Sequence, residues 1–189
     1  MLVGKVVKLR PLDEHDIPKL AEMANDEASF GGTLRHALNS PAELLRDVRK
    51  NNLLEEGRFV LAVLRAQTGE LIGSAHVYPA HTLYDIPEIG VYIYPEEARR
   101  QGCGFETVAL LASLLFNTRP TPKVTVVTNV RNAFLTPTLK RFGWKREAVM
   151  RRAFFYAGAH QDYAVWSLAR ETWQEVRDRP ELDGLEAPY

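Results

Sequence analysis

Residues 88–104 read Glu-Ile-Gly-Val-Tyr-Ile-Tyr-Pro-Glu-Glu-Ala-Arg-Arg-Gln-Gly-Cys-Gly. Ile89, Val91 and Ile93 alternate with Glu88, Gly90 and Tyr92, which is the period of a strand, and Pro95 stops it. From Phe105 to Asn117 the apolar residues recur with a helical period. Between strand and helix lies Arg99-Arg100-Gln101-Gly102-Cys103-Gly104. Two glycines here let backbone N–H groups turn inward at a helix N-terminus, where the dipole also favours an anion. The segment suits a pyrophosphate. No Gly-Lys-Ser/Thr follows, so it is not a Walker loop, and Thr107 stands where a Rossmann fingerprint needs its third glycine. A bare Gly-x-Gly can also do no more than end a strand and start a helix, so its surroundings must decide.

Outward from this segment, the chain alternates strands and helices. Val3, Val6, Val7 and Leu9 before Pro11 predict a first strand, and Asp13 to Asp16 cap a helix over Ile17 to Asn25. Glu27 to Asn39 reads as a loop, and Ser40-Pro41-Ala42-Glu43 opens a second helix reaching about Asn51. Arg58 to Arg65 and Glu70 to Tyr78 predict an antiparallel pair across a short turn. Beyond the long helix come a strand over Lys123 to Thr128, a short helix over Leu135 to Arg141 ending at Gly143, and strands over Lys145 to Tyr156 and Gln161 to Ala169. The predicted order is β, α, α, β, β, β, α, β, α, β, β. Nothing repeats, and no linker divides the chain, so residues 1–170 read as one domain and 171–189 as a helix and tail.

Composition narrows the function. Twenty-four basic and twenty-four acidic side chains cancel in the 189 residues, which leaves no net field to hold nucleic acid or an anionic membrane. Cys103 is the one cysteine and the five histidines are scattered, so neither a disulfide nor a zinc site is expected, and no metal. No run approaches the length of a membrane span, and the expectation is a cytoplasmic protein.

A strand, then Arg99-x-x-Gly102-x-Gly104, then a helix resembles the acyl-CoA signature of the GNAT superfamily. Downstream, Asn132 and Phe142-Gly143-Trp144, followed by Glu147, Arg151 and Asp162, are similar to the closing pattern of its ribosomal-protein-alanine acetyltransferase (RimJ/RimL-type) subgroup, which also places Glu-x-Gly ahead of the loop, as Glu88-Ile89-Gly90 does here. The resemblance spans residues 3 to 170. It implies an α+β GNAT fold, a mixed and mostly antiparallel sheet flanked by helices, with the fourth and fifth strands splayed apart. It further implies acetyl-CoA as donor, its pantetheine arm beside Val91 to Ile93, its phosphates on Arg99, Arg100, Gln101, Gly102, Cys103, Gly104 and Phe105, and Asn132 as a further cofactor contact. Lys140 and Arg141 could add to the phosphate charge or be a solvated helix end.

Direct transfer needs a neutral amine, yet an α-amine titrates near 8 and a lysine amine near 10.4, so a base helps. Glu88, on the cofactor strand, is the candidate, against a plain surface glutamate or salt-bridge partner. Glu106 at the helix start reads as a cap rather than a base. Backbone N–H groups of Val91 or Ile93 would meet the developing oxyanion. Two departures stand out: Leu135 replaces the subgroup's serine, and no tyrosine lies between Asn132 and Gly143 to act as a general acid. Arg35, His36, Tyr78 and Tyr84, with Phe30 and His81, fall by the family layout around the acceptor, an amine on a small molecule or a protein N-terminus. The readings left open are an N-acetyltransferase, a module that binds acyl-CoA without turnover, a transferase of a longer acyl group such as succinyl, and a partner-binding domain. An exposed edge in the last hairpin leaves room for a homodimer.

Overall fold

The computed structural model describes residues 1–26, 29, 40–51, 54–55, 58–81, 84–156 and 158–179, and for 51, 54–55, 80–81 and 84–85 the backbone alone. Phe30, Arg35 and His36 therefore lie outside the described residues, and so does the side chain of Tyr84. The elements are β1 (Leu2–Val3), β2 (Val7–Pro11), α1 (Asp16–Asn25), α2 (Pro41–Asn51), β3 (Leu54–Glu55), β4 (Arg58–Arg65), β5 (Leu71–His81), β6 (Tyr84–Ile93), α3 (Glu96–Arg100), α4 (Cys103–Thr118), β7 (Lys123–Asn129), α5 (Thr136–Arg141), β8 (Lys145–Tyr156), β9 (Ala159–Ala169) and α6 (Arg170–Val176).

The strands form one mixed sheet in the order β1-β2-β4-β5-β6-β7-β9-β8, with β3 added beside β4. Every pairing is antiparallel except that of β6 with β7. Alternation along β4 divides the core. Leu61 and Val63 face one layer with Ala75, Val77, Ile89 and the apolar side of α4, whereas Val60, Ala62 and Leu64 face the other with Ile17, Leu20 and Met23 of α1. Trp173 and Val176 bring α6 into the first layer, where Trp173 stacks on Phe116 at 6.2 Å.

Three expectations need correcting. The first predicted strand is two, because the chain turns at residues 4–6. Glu106 causes the turn: its carboxylate accepts the N–H groups of Lys5, Val6 and Val7 at 2.8, 2.8 and 2.7 Å. A Cβ at Gly4 would come within 2.4 Å of that carboxylate, so a larger residue there would displace Glu106 from its three donors. Glu106 is thus a clamp between α4 and the sheet edge, and not a cap of its own helix. Second, the run from 95 to 104 is not all loop, since Glu96–Arg100 forms α3. Third, β6 begins at Tyr84, four residues before the predicted start. Pro137 is accommodated in the first turn of α5, where no backbone N–H is needed.

β8 is the outer strand of its end of the sheet, and its residues are exposed over most of its length. At Arg152 the backbone enters the left-handed region (φ 52°) and Asp162 accepts the Arg152 N–H at 2.8 Å, which fixes the bulge between Met150 and Phe154.

Candidate active site

β6 and β7 share a single ladder pair, Glu88 with Thr125, although both strands run on past it. The edge of β6 beyond Glu88 is therefore open on the β7 side, as the splayed pair of the fold requires. Two cavities occupy the opening. The larger, about 430 Å³, is bounded by Ile93, Arg99, Gly102, Gly104, Phe105 and Thr138. The smaller, about 130 Å³, is bounded by Tyr78, Glu88, Gly90, Tyr92, Thr128 and Tyr163. Val91, Asn132 and Leu135 line both, so the two meet at these residues.

The floor of the larger cavity is the N-terminus of α4. Gly102, with φ 81°, turns the chain into the helix, a conformation costly for a residue with a Cβ. No side chain caps the end, and the first intrahelical bond runs from the Glu106 N–H to the Gly102 carbonyl at 3.0 Å. The N–H groups of Cys103, Gly104 and Phe105 consequently have no acceptor within the helix. A Cβ at Gly104 would touch only Ile93, at 3.8 Å, so the protein's own packing does not demand glycine at that position. The space it leaves opens on the cavity.

Arg99 is partly buried beside this end, and its Nε is buried with no acceptor in the protein. Burial lowers its pKa, against the opposing pull of Glu96 and Glu97. An anion would satisfy that nitrogen. Arg100 also lines the cavity but is held by Glu96 at 2.5 Å. Gln101 turns away: its side chain accepts from Arg65 at 2.7 Å, within a cluster that also ties Arg65 to Glu97 and Glu70. The Cys103 thiol is buried in the core, and burial raises its pKa. At these two positions only the backbone is available to a ligand. Lys140 and Arg141 are not among the lining residues, and Arg141 lies over the Phe142 ring at 5.6 Å. Asn132 is a helix cap, its Oδ1 accepting the N–H groups of Phe134 and Leu135 at 3.2 and 3.0 Å while its Nδ2 donates to Thr128 Oγ1 at 3.0 Å.

In the smaller cavity Glu88 stands opposite Tyr78 in the β5–β6 register. Desolvation raises its pKa above the usual carboxylate value of 4.5. The Tyr78 ring crosses Gly90, where an added Cβ would meet its Cε2 at 3.0 Å, so glycine at 90 makes room for the ring. His76 stacks on Tyr78 with centroids 5.5 Å apart and meets Tyr92 edge-on at 5.1 Å. Its Nε2 lies 2.9 Å from Ser74 Oγ, and burial, with Arg58 nearby, lowers its pKa to about 4, so it is neutral at pH 7. Burial likewise raises the Tyr78 pKa and keeps the phenol protonated. The sequence reading named Glu88 and Tyr78 but passed over His76, Tyr92 and Tyr163. The register opposite Gly90 could have found His76, and the period of β6, which puts Tyr92 on the face of Glu88 and Gly90, could have found Tyr92; Tyr163 comes from the far side of the gap, where only topology places it.

The family described as “Acetyltransferase (GNAT) domain” matches residues 7–145. The chain belongs to that family. It is accordingly an acyl-CoA-dependent N-acetyltransferase by family membership. The comparison with curated proteins finds no match. Among solved structures, a spermidine N-acetyltransferase from Vibrio cholerae in complex with CoA and spermine is 19% identical, with 90% of this chain and 99% of that chain covered at a TM-score of 0.74. RimL, a ribosomal L7/L12 alpha-N-protein acetyltransferase in complex with coenzyme A, is 18% identical over 89% of this chain and 98% of that one, at 0.73. A GCN5-related N-acetyltransferase from Brucella melitensis is 20% identical over 93% and 81%, at 0.71. These likenesses show the GNAT fold. Among the described residues, no helix is long and apolar enough to cross a membrane.

Proposed function

We propose that the protein transfers the acetyl group of acetyl-CoA directly to a primary amine, on a small molecule or a protein N-terminus, in the manner of the ribosomal-protein-alanine acetyltransferase subgroup. The observation that carries the donor is the α4 end: uncapped N–H groups and a glycine at 104 that packing does not require lie at one cavity, which is also lined by Arg99, whose buried Nε has no acceptor in the protein. The pyrophosphate would bind there, with the pantetheine arm along the open edge of β6 past Val91 and Ile93.

At the junction of the cavities the Val91 N–H would meet the thioester oxygen as charge develops on it. Glu88 would take the proton from the acceptor ammonium, directly or through water. Its raised pKa makes it a better base near neutral pH than an exposed carboxylate. The thiolate is a good leaving group, so Leu135 in place of serine does not by itself prevent turnover. The same Leu135, at the junction, is what favours the second reading, a module that binds acyl-CoA without turnover. We further take residues 1–170 as the catalytic domain and 171–189 as an appended helix and tail, with a cytoplasmic site of action.

Calorimetric titration of acetyl-CoA and desulfo-CoA into the wild type and Gly104→Asp tests the donor site. Asp fits there without strain on the protein but puts a carboxylate where the phosphate would lie. Binding by the wild type that the variant loses supports the assignment. Absence of binding by the wild type overturns it. Turnover with any amine rejects the non-catalytic reading.

A further inference from the structure

We infer that the smaller cavity selects a primary amine with no carboxylate or phosphate on the carbons next to it, and rejects free amino acids. This rests on the reading above and names the class of its acceptor.

Among the described residues lining that cavity, Glu88 is the only one with a charge. The cations of the site, Arg99 and Arg100, line the other cavity. Arg58 approaches, but lies over the Tyr78 ring at 5.8 Å and is not among the residues that line the cavity. Three of the walls are the aromatic residues Tyr78, Tyr92 and Tyr163. An aromatic face carries negative quadrupole density, which attracts an ammonium group or C–H bonds and repels an anion. Both kinds of wall therefore have the same preference. An amine entering between them meets the Glu88 carboxylate among three tyrosines. A carboxylate on the neighbouring carbon would be carried into the same small, partly desolvated space, whose lining holds no cation among the described residues. Coulomb repulsion there is several times stronger than in water. The two parts of an amino acid thus meet opposite responses in one cavity, and the penalty falls on the acid.

The test measures kcat/KM for acetyl transfer from acetyl-CoA to acceptor pairs that differ by one carboxylate. Tyramine against tyrosine and agmatine against arginine form one set. The tripeptide amides Ala-Ala-Ala and Asp-Ala-Ala form the other. In the first set the decarboxylated member is the stronger base, so a preference for it cannot come from a larger neutral fraction. The expected result is a preference of at least about tenfold for the acid-free member in every pair that reacts, equivalent to about 1.4 kcal/mol. In Glu88→Gln the ratio within each pair should shrink toward one while the absolute rates fall. Equal rates within the pairs, or a preference for the amino acid, overturn the inference and leave the amine-transfer reading intact. Binding of acetyl-CoA with no transfer to any member of either set overturns both.

Discussion

The larger cavity presents the backbone of a helix end and two arginines, the smaller a carboxylate and three tyrosines. At the α4 end the donors proposed for the ligand are backbone N–H groups, beside Arg99, whose Nε has no partner in the protein. Across Val91, Asn132 and Leu135, the chemistry passes to Glu88 and a set of tyrosines. The two also differ in sign, cationic on one side and acidic on the other. On the proposed reading, a donor carrying phosphates and an acceptor carrying an ammonium would be sorted into separate halves of one opening. A backbone site can be kept with little constraint beyond two glycines, whereas a side-chain site can change its specificity by single substitutions.

The largest effect should come from the side-chain half. Glu88→Gln is expected to lower kcat on the order of 10²- to 10⁴-fold, the usual contribution of a positioned base, while leaving the Kd for acetyl-CoA nearly unchanged. In the wild type, kcat/KM should fall as the pH drops through a pKa above 4.5, because burial holds the Glu88 proton more tightly. The variant should lack that limb. A Gln variant with weakened CoA binding and a normal kcat would break the division of labour between the cavities.

Glu106 tests whether α4 contributes as a scaffold as well as through its end. Glu106→Ala leaves three backbone N–H groups at residues 5–7 without their acceptor. A cost of about 3 kcal/mol is expected, since hydrogen bonds to a charged group are worth about 1.5–3 kcal/mol each and water recovers part of the loss. Thermal or urea unfolding measures it. Acetyl-CoA affinity of the folded fraction should hold, since the carboxylate points to the sheet edge and not to the cavity.

On the backbone side, Arg99→Ala should weaken acetyl-CoA binding by roughly 10- to 100-fold, from the loss of one charge-assisted contact worth about 1.5–3 kcal/mol. The acceptor KM should stay the same. Arg100→Ala should do less, because Glu96 already holds that guanidinium. Calorimetry of the two variants side by side ranks them, and a reversed order would place the phosphates nearer to Arg100.

Much of this was legible in the sequence, and the limits have physical causes. The strand at 88–93 and the helix behind it follow from two clear periods, and the paired glycines mark the turn between them. Local periodicity also predicts β4, β7 and the last hairpin to within a few residues. The split of the first strand was not legible, because its cause, Glu106, lies about a hundred residues away. Gln101 sits inside the quoted motif yet faces Arg65, a partner set by the β4–β5 turn rather than by the motif. His76 stands beside the site through its cross-strand register with Gly90, which no single strand reveals. Asn132 lines both cavities, and its oxygen also accepts the N–H groups of Phe134 and Leu135, a local bond that the sequence motif does not reveal.

A smaller effect concerns stability. The folded protein binds the Glu88 proton more tightly than the unfolded chain does, so this group favours the fold at low pH and that contribution is lost as the pH rises from 4.5 through the raised value. At pH 7 the wild type carries the cost of a half-buried charge. Glu88→Gln should therefore melt at a higher temperature than the wild type at pH 7, and the difference should shrink as the pH is lowered toward 4.5 and below. A slow enzyme that is more stable is the signature of a charge kept for chemistry. A variant less stable at pH 7 would instead make Glu88 a structural partner.

The smallest expected change is the sharpest test of the backbone argument. Gln101 lies inside the phosphate segment, and a site built from side chains would need it. Its amide oxygen is instead occupied by Arg65, whose other contacts are Glu70 and Glu97. Gln101→Ala removes one exposed hydrogen bond from that cluster and leaves the N–H groups of the α4 end where they are. Surface contacts of this kind contribute about 0–1 kcal/mol, so acetyl-CoA affinity should change by less than about threefold. The same truncation at Arg99, two residues earlier, is expected to cost at least ten times as much. If Gln101→Ala matched Arg99→Ala, the Arg65 cluster would have to position the loop for the ligand, and the larger cavity would depend on side chains as much as the smaller one does.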